Sequence, residues 1–331
     1  MNIGRRLLVL LAVALIVVVM PSSASAGPPS AEPDVDVLVT GLEGASGSTI
    51  GPGGALYVTE GAAGRITRVD PRTEETTTLA SGLPTAIIGI GGAVDVAFIG
   101  RTAYVLVTLV GSDVGGTDTV GIYRVDGPDS FTVVADIGAF SINNPPSTAF
   151  FVPTGVQFAL EAYRGGFLVT DGHHNRVLRV TRDGEVTELV TFDNIVPTGL
   201  AIRGNTVYMA EAGPVPHLPE DGKVVAFKPK SPSVTDVASG GRLLVDVEFG
   251  RGRSLYALGQ GVFQVGDPEG APAQPNTGQL LRVNEDGTFT VVVDGLDRPT
   301  SLEFIRNTAY VVTLTGELLR ISNTSPPAHH L

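Results

Sequence analysis

The residues of this chain best suited to chemistry are five carboxylates at two recurring places. Asp95 and Asp246 each open a short run of the form Asp-Val-x-Phe. Glu60, Asp171 and Glu211 each close an apolar run, LYVTE, FLVTD and VYMAE. Ionised carboxylates offer only acceptor oxygens, and several of them gathered together suit Ca²⁺, which takes six to eight oxygen ligands. The same groups have a second use, accepting hydrogen bonds from backbone N–H groups and so fastening neighbouring segments. For Asp95 and Asp246 both uses stay open at this point, Ca²⁺ ligation being the sharper one. His217, between Pro214 and Pro219, is the histidine best placed to touch a ligand. His173 and His174 have no Cys/His partner at ligand spacing and are expected as solvated turn residues. No Gly-x-Ser-x-Gly, His-Glu-x-x-His or phosphate-loop pattern occurs.

The elements that must position these residues are clearest over residues 152–192, which read as four short strands in a row. Asp183-Gly184 between the last two is a hairpin signal, because both central residues of a tight turn need positive φ. The same four-part unit recurs along the chain. Second strands are expected at residues 56–60, 103–107, 167–171, 207–211, 255–259 and 309–313, and third and fourth strands can be counted in the same way. Each count is six. First strands begin near Gly47, Asp95, Gly155, Gly199, Asp246 and Ser301, so the two aspartates fall in units two and five. If that register holds, five carboxylates gather towards one end of the repeat.

The last unit lacks a fourth strand, while the chain starts with an orphan one at residues 36–42. Pairing them removes two unpaired edges. The expected fold is therefore all-β, a six-bladed β-propeller over residues 35–322 whose N-terminal strand closes the last blade, and a sandwich would leave the fixed repeat unexplained. In such a ring, blades two and five face each other. Turns between strands one and two, and three and four, are tight. The long insertions, residues 109–120, 212–222 and 262–278 with the link 139–151, belong to the opposite face. Binding usually sits on the elaborated end of a rigid scaffold.

The unit pattern of Pro-Thr-Gly, Leu-Tyr-Val-x-Glu/Asp, an Arg-Val strand and an Asp-Gly hairpin resembles the NHL and SMP-30/gluconolactonase-like six-bladed propellers. More closely, Asp95–Phe98, residues 167–180, 196–211, Asp246–Phe249 and residues 282–302 resemble the secreted ScyD/ScyE family. That resemblance covers roughly residues 35–322 and implies the fold more strongly than any activity. Gluconolactonase-like relatives would imply a divalent cation held by a Glu, Asn and Asp set, but their Glu-Gly-Pro-x-Trp type entry is missing and the chain has no tryptophan. Quinoprotein sugar dehydrogenases of this architecture would imply a channel histidine, for which His217 is the candidate, and a basic cofactor grip that is not evident.

Arg5 and Arg6, the apolar run of residues 7–20 and Ala24-Ser25-Ala26 read as a secretory signal peptide over residues 1–26. Residues 27–34 follow as a linker, and residues 323–331 as a disordered tail. Cleavage removes two arginines and no acid, moving the formal net charge from −12 to −14. That balance argues against nucleic acid as a partner, and no segment of the mature chain is expected to span a membrane. With no cysteine, an exported chain of this kind depends on its core alone. The expected function is binding of a small molecule or protein through the elaborated face, outside the cell and without catalysis. The alternative is a Ca²⁺-dependent hydrolase or lyase of the SMP-30 kind.

Overall fold

The computed structural model describes residues 32–148, 152–268 and 270–325. The expected signal peptide, most of the linker, Glu269 and the tail beyond Ser325 lie outside them. The 24 strands form six antiparallel four-stranded sheets. Their inner strands are Ala45–Ile50, Gly92–Ile99, Gln157–Tyr163, Pro197–Arg203, Leu244–Phe249 and Pro299–Ile305. The fold is a six-bladed β-propeller. The N-terminal strand Asp34–Val39 pairs antiparallel with Leu318–Ser322, from Asp34 against Ser322 to Val39 against Leu318, and supplies the last blade's outer strand.

Alternation along each strand sends side chains to both faces of a blade, and each face meets the next blade. Six of the buried apolar clusters accordingly straddle neighbouring blades, such as Tyr57, Ile66, Val96 and Val105 between blades one and two. The repeated tyrosine and phenylalanine have a shared purpose there. Tyr57 packs on Phe98, Tyr208 on Phe249 and Tyr256 on Phe304 at ring separations of 4.7, 5.1 and 4.6 Å, each pair joining one blade to the next.

The long connections 109–120, 212–221 and 260–277 all join second to third strands, so alternation of strand direction places them on one face. The link before blade three carries a helix absent from the sequence reading, Ile137–Asn143, whose first turn is capped by the Asp136 carboxylate accepting the Ala139 N–H at 2.7 Å. The Asp-Gly hairpins also differ from expectation: Gly184 and Gly287 have φ of 93° and 82°, while Asp183 and Asp286 stay in ordinary conformations. The residues directly after the last strand are packed. Thr324 is buried and donates to the Asn307 carbonyl, and the Ser325 and Tyr256 hydroxyls lie 2.8 Å apart. A chain cut after Ser322 is therefore expected to be less stable than one cut after Ser325, by about 1–2 kcal/mol. Equal melting temperatures for the two truncations would contradict this.

Candidate functional site

The two sets of carboxylates separate into two layers rather than forming one group of five. Glu60, Asp171 and Glu211 end their strands directly opposite Arg65, Arg176 and Lys223 at the start of the third strands. Each acid thus faces a base across a turn on the elaborated face. Glu60 accepts from Arg65 Nε and Nη2 at 2.8 and 2.7 Å, from the Glu43 N–H at 2.7 Å and from the Thr67 hydroxyl. Burial pulls its pKa up, but these hydrogen bonds outweigh it and the net shift is downward. Glu211 is less well served, since the Lys223 ammonium turns to Asp236 at 3.1 Å, and burial pushes the Glu211 carboxyl up to about 7.

Asp171 belongs to a fully buried polar network. Arg176, with no exposed surface, donates from Nε to Asp171 at 3.0 Å, from Nη1 to the Asn144 carbonyl at 2.7 Å and from Nη2 to the Ser141 hydroxyl at 2.9 Å. His174 is buried as well, correcting the expectation of a solvated pair. Its Nε2 lies 3.0 Å from the Val152 carbonyl, and its Nδ1 lies 3.1 Å from Arg176 Nη2 and 3.2 Å from Asp171 Oδ2. His173 is half-buried, and its pKa falls to about 4 because burial and the nearby His217 both disfavour the charged ring. Asn175 takes the left-handed conformation that asparagine tolerates (φ 52°), and its Oδ1 accepts the Ile195 and Val196 N–H groups at 2.9 Å.

His217 is buried in the blade-four insertion, edge-on to Phe263 of the blade-five insertion at 5.6 Å, and burial lowers its pKa. Its Nδ1 has no hydrogen-bond partner, a rare state for a buried ring nitrogen. Asp113 of the blade-two insertion accepts the Thr154 N–H and hydroxyl at 2.9 and 2.7 Å. The insertions are thereby tied to each other and to the ring.

Asp95 and Asp246 line the central channel. Asp95 accepts the Val96 N–H with one oxygen and the Leu160 N–H of blade three with the other, at 2.8 and 2.7 Å. Asp246 does the same with Val247 and with Leu302 of blade six, at the same distances. Ser301 continues the pattern by accepting the Ser48 N–H of blade one at 3.0 Å. The aspartates stand where a side chain of the preceding blade would reach: a Cβ on Gly47 or Gly199 would fall 2.4 or 2.3 Å from their Oδ1 atoms. The blade-three member of this column is Ala159 and not Gly155, because Leu160 is the residue aligned with Val96 and Val247.

Two residues along the same strands lie Glu161, Glu248 and Glu303, which the sequence reading missed. They line a channel cavity of about 40 Å³ together with Asp95 and Asp246, and no Lys, Arg or His borders it. Burial raises all five pKa values, to about 7 for Asp246 and about 8 for Glu248, and mutual repulsion adds to the rise for Asp95, Glu161, Glu248 and Glu303. A carboxyl raised in this way holds its proton more tightly when folded. Its contribution is complete below the unfolded value near 4 and is lost as pH rises through the folded value. Stability is therefore expected to fall by about 2 kcal/mol or more between pH 5 and 8, and Glu248→Gln with Glu303→Gln is expected to flatten the curve. Thermal melts across that range check this, and a melting temperature constant or rising to pH 8 contradicts it. The lowered Glu60 acts in a separate window, below about pH 4.5.

At Asp95 and Asp246 the fastening use is the one the geometry displays. Both oxygens of Asp95 and of Asp246 already accept backbone N–H groups. Among the described residues no three His, Asp or Glu are grouped to hold a metal ion.

No protein-family model matches the chain, and no curated protein matches it in sequence. Solved structures share its fold. A virginiamycin B lyase from Staphylococcus aureus is 12% identical with a TM-score of 0.54, over 88% of this chain and 99% of that one. A gluconolactonase from Xanthomonas campestris is 12% identical with a TM-score of 0.61, over 87% and 89%. An aldose sugar dehydrogenase from Streptomyces coelicolor, solved with PQQ bound, is 16% identical with a TM-score of 0.57, over 89% and 99%. Likeness at this level is a likeness of fold.

Proposed function

We propose that the chain is a secreted, non-enzymatic binding propeller of the ScyD/ScyE kind, which engages a protein partner through its elaborated face. The observation that carries this reading is the distribution of exposed apolar side chains. Among the described residues, Ile87, Ile88 and Ile90 of the link into blade two, Ile142 of the helix, Leu218 and Val265 are all large, apolar and exposed, and all lie on the elaborated face. The other exposed ones, Val35, Val37, Val133 and Val291, lie on outermost strands. The trimmed face has none. Apolar groups concentrated on one end of a rigid scaffold are what a partner would cover. No helix among the described residues is long and apolar enough to cross a membrane.

The test is capture of proteins from culture medium by the immobilised chain. Ile88→Glu, Leu218→Glu and Val265→Glu together are expected to abolish capture, while Val133→Glu and Val291→Glu leave it intact and both variants keep the parental melting temperature. Equal capture by the two variants would remove the reading. The Ca²⁺-dependent alternative has its own test. Calcium and chelator are expected to give one melting temperature. A ligating site held at 100 times its Kd would instead add about 2.7 kcal/mol, and a rise of that size, lost in Asp95→Asn with Asp246→Asn, would restore the enzyme reading.

A further inference from the structure

The trimmed face holds an open groove of about 710 Å³ between blades four and five. Four guanidinium groups stand around it, and Glu285 is the one carboxylate among its lining residues. Arg203 ends the inner strand of blade four. Its Cζ lies 5.3 Å over the Phe249 ring and its Nη1 lies 3.4 Å from the Arg253 carbonyl. Arg251 and Arg253 project from the turn between the first two strands of blade five, and Arg282 comes from the third strand of that blade. All but Arg282 are exposed.

Among the described residues, none of these four arginines makes an ion pair within 4 Å. What sets the groove apart is the gathering of four arginines against one carboxylate in a chain that has 34 acids for 22 bases. Like charges gathered without counter-charges repel one another, and an anion in the groove would relieve that repulsion. The planar guanidinium fork matches carboxylate and sulfate groups with two parallel hydrogen bonds. Neutral polar residues, Ser254, Asn284 and Tyr208, and apolar ones, Val237, Leu255 and Val283, are also among its lining residues. Hydroxyl and amide groups together with apolar side chains suit a sugar ring, and the volume falls within the range that small ligands occupy, roughly 300–1,000 Å³.

We propose that this groove binds an acidic oligosaccharide, one bearing at least two carboxylate or sulfate groups. It is a site separate from the elaborated face, because the turns that form it close the opposite ends of the strands. The repeat offers a built-in comparison: Arg101 and Arg306 occupy corresponding turns of blades two and six but do not line the groove.

Calorimetric titration of the full chain with trigalacturonate and with a sulfated disaccharide tests the proposal and separates the two sources of charge. Binding by either probe is expected, weakening as salt rises from 50 to 300 mM. Arg251→Gln and Arg253→Asn are each expected to weaken it by about tenfold. Asparagine is chosen at the second position because Arg253 has a φ of 73°, which Asn tolerates. Arg101→Gln and Arg306→Gln are expected to stay within about twofold of the parent, and all four to keep its melting temperature. Three outcomes overturn the proposal: no binding tighter than about 1 mM by either probe, equal losses in groove and control variants, or inorganic sulfate binding as tightly as the sulfated sugar.

Discussion

A chain lacking residues 34–39 is expected to lose its single cooperative unfolding transition. Those residues form the outer strand of the last blade, and their loss leaves Leu318–Ser322 as a bare edge with unpaired backbone groups. The damage does not stay local. Leu38 is buried in the cluster that joins the last blade to the first, beside Leu56, Val58, Tyr310 and Leu318, and burial of one such side chain is worth about 1.5–3 kcal/mol. Asp36 also holds Arg320 at 3.2 Å, and the same guanidinium reaches Glu74 of blade one at 3.1 Å. A ring in which each blade touches only its neighbours depends on every junction, so an open junction removes support from both sides. Thermal melts by circular dichroism measure this directly. A truncated chain that still unfolds in one step within a few degrees of the parent would show that the closing strand is dispensable.

The closure was legible in the sequence because it needs only counting. Strand types repeat with local punctuation, and an orphan fourth strand at the start matches a missing one at the end. Register was harder. Pro-Thr-Gly occurs at residues 153–155 and again at 197–199. In blade four it enters the inner strand, and Gly199 packs against Asp246. In blade three the same triplet belongs to the link, held by Asp113 on Thr154 with Gly155 at a φ of 82°, and the strand begins only at Gln157. A contact between blades two and three decides that difference, and no property of the triplet itself records it.

The site residues divide along the same line. Asp95 and Asp246 stood out because small residues, glycine, alanine or serine, occupy the rest of their column. Glu161, Glu248 and Glu303 carried an available signal, since each follows an apolar residue at one fixed register (LEA, VEF, LEF), but a glutamate in a strand reads as a solvated position until the channel is known. The arginine groove gave less warning. Arg203, Arg251 and Arg253 sit in Gly-containing turns whose composition is explained by turn formation alone, and Arg282 lies in another strand. The depth of Arg176 and His174 was hidden for a similar reason. The helix that covers them, Ile137–Asn143, is a short segment without helical periodicity.

Replacing Arg176 by methionine is expected to destabilise the protein by about 3–5 kcal/mol, because it leaves a buried carboxylate without its main partner. Asp171 has no exposed surface, and without Arg176 its neighbours are Gln157 Nε2 at 3.2 Å, His174 Nδ1 at 3.2 Å and the Ser141 hydroxyl at 3.4 Å, none of them a fixed positive charge. The same substitution detaches the link helix, since Arg176 holds the Asn144 carbonyl and Ser141 and lies 5.4 Å from the Phe140 ring. In a chain of this size the melting temperature is expected to drop by about ten degrees, with faster amide exchange over residues 137–144 than elsewhere. Blade one supplies the control. Arg65 faces Glu60 in the same register, and Glu60 is also buried, but it keeps the Glu43 N–H and the Thr67 hydroxyl while the Arg65 side chain is 32% exposed, so Arg65→Met is expected to cost less, about 1–2 kcal/mol. Adding Asp171→Asn to Arg176→Met is expected to recover part of the loss, because the amide removes the stranded charge. Equal losses for Arg176→Met and Arg65→Met, or none recovered in the double variant, would mean that the buried pair is not what holds the elaborated face to blade three.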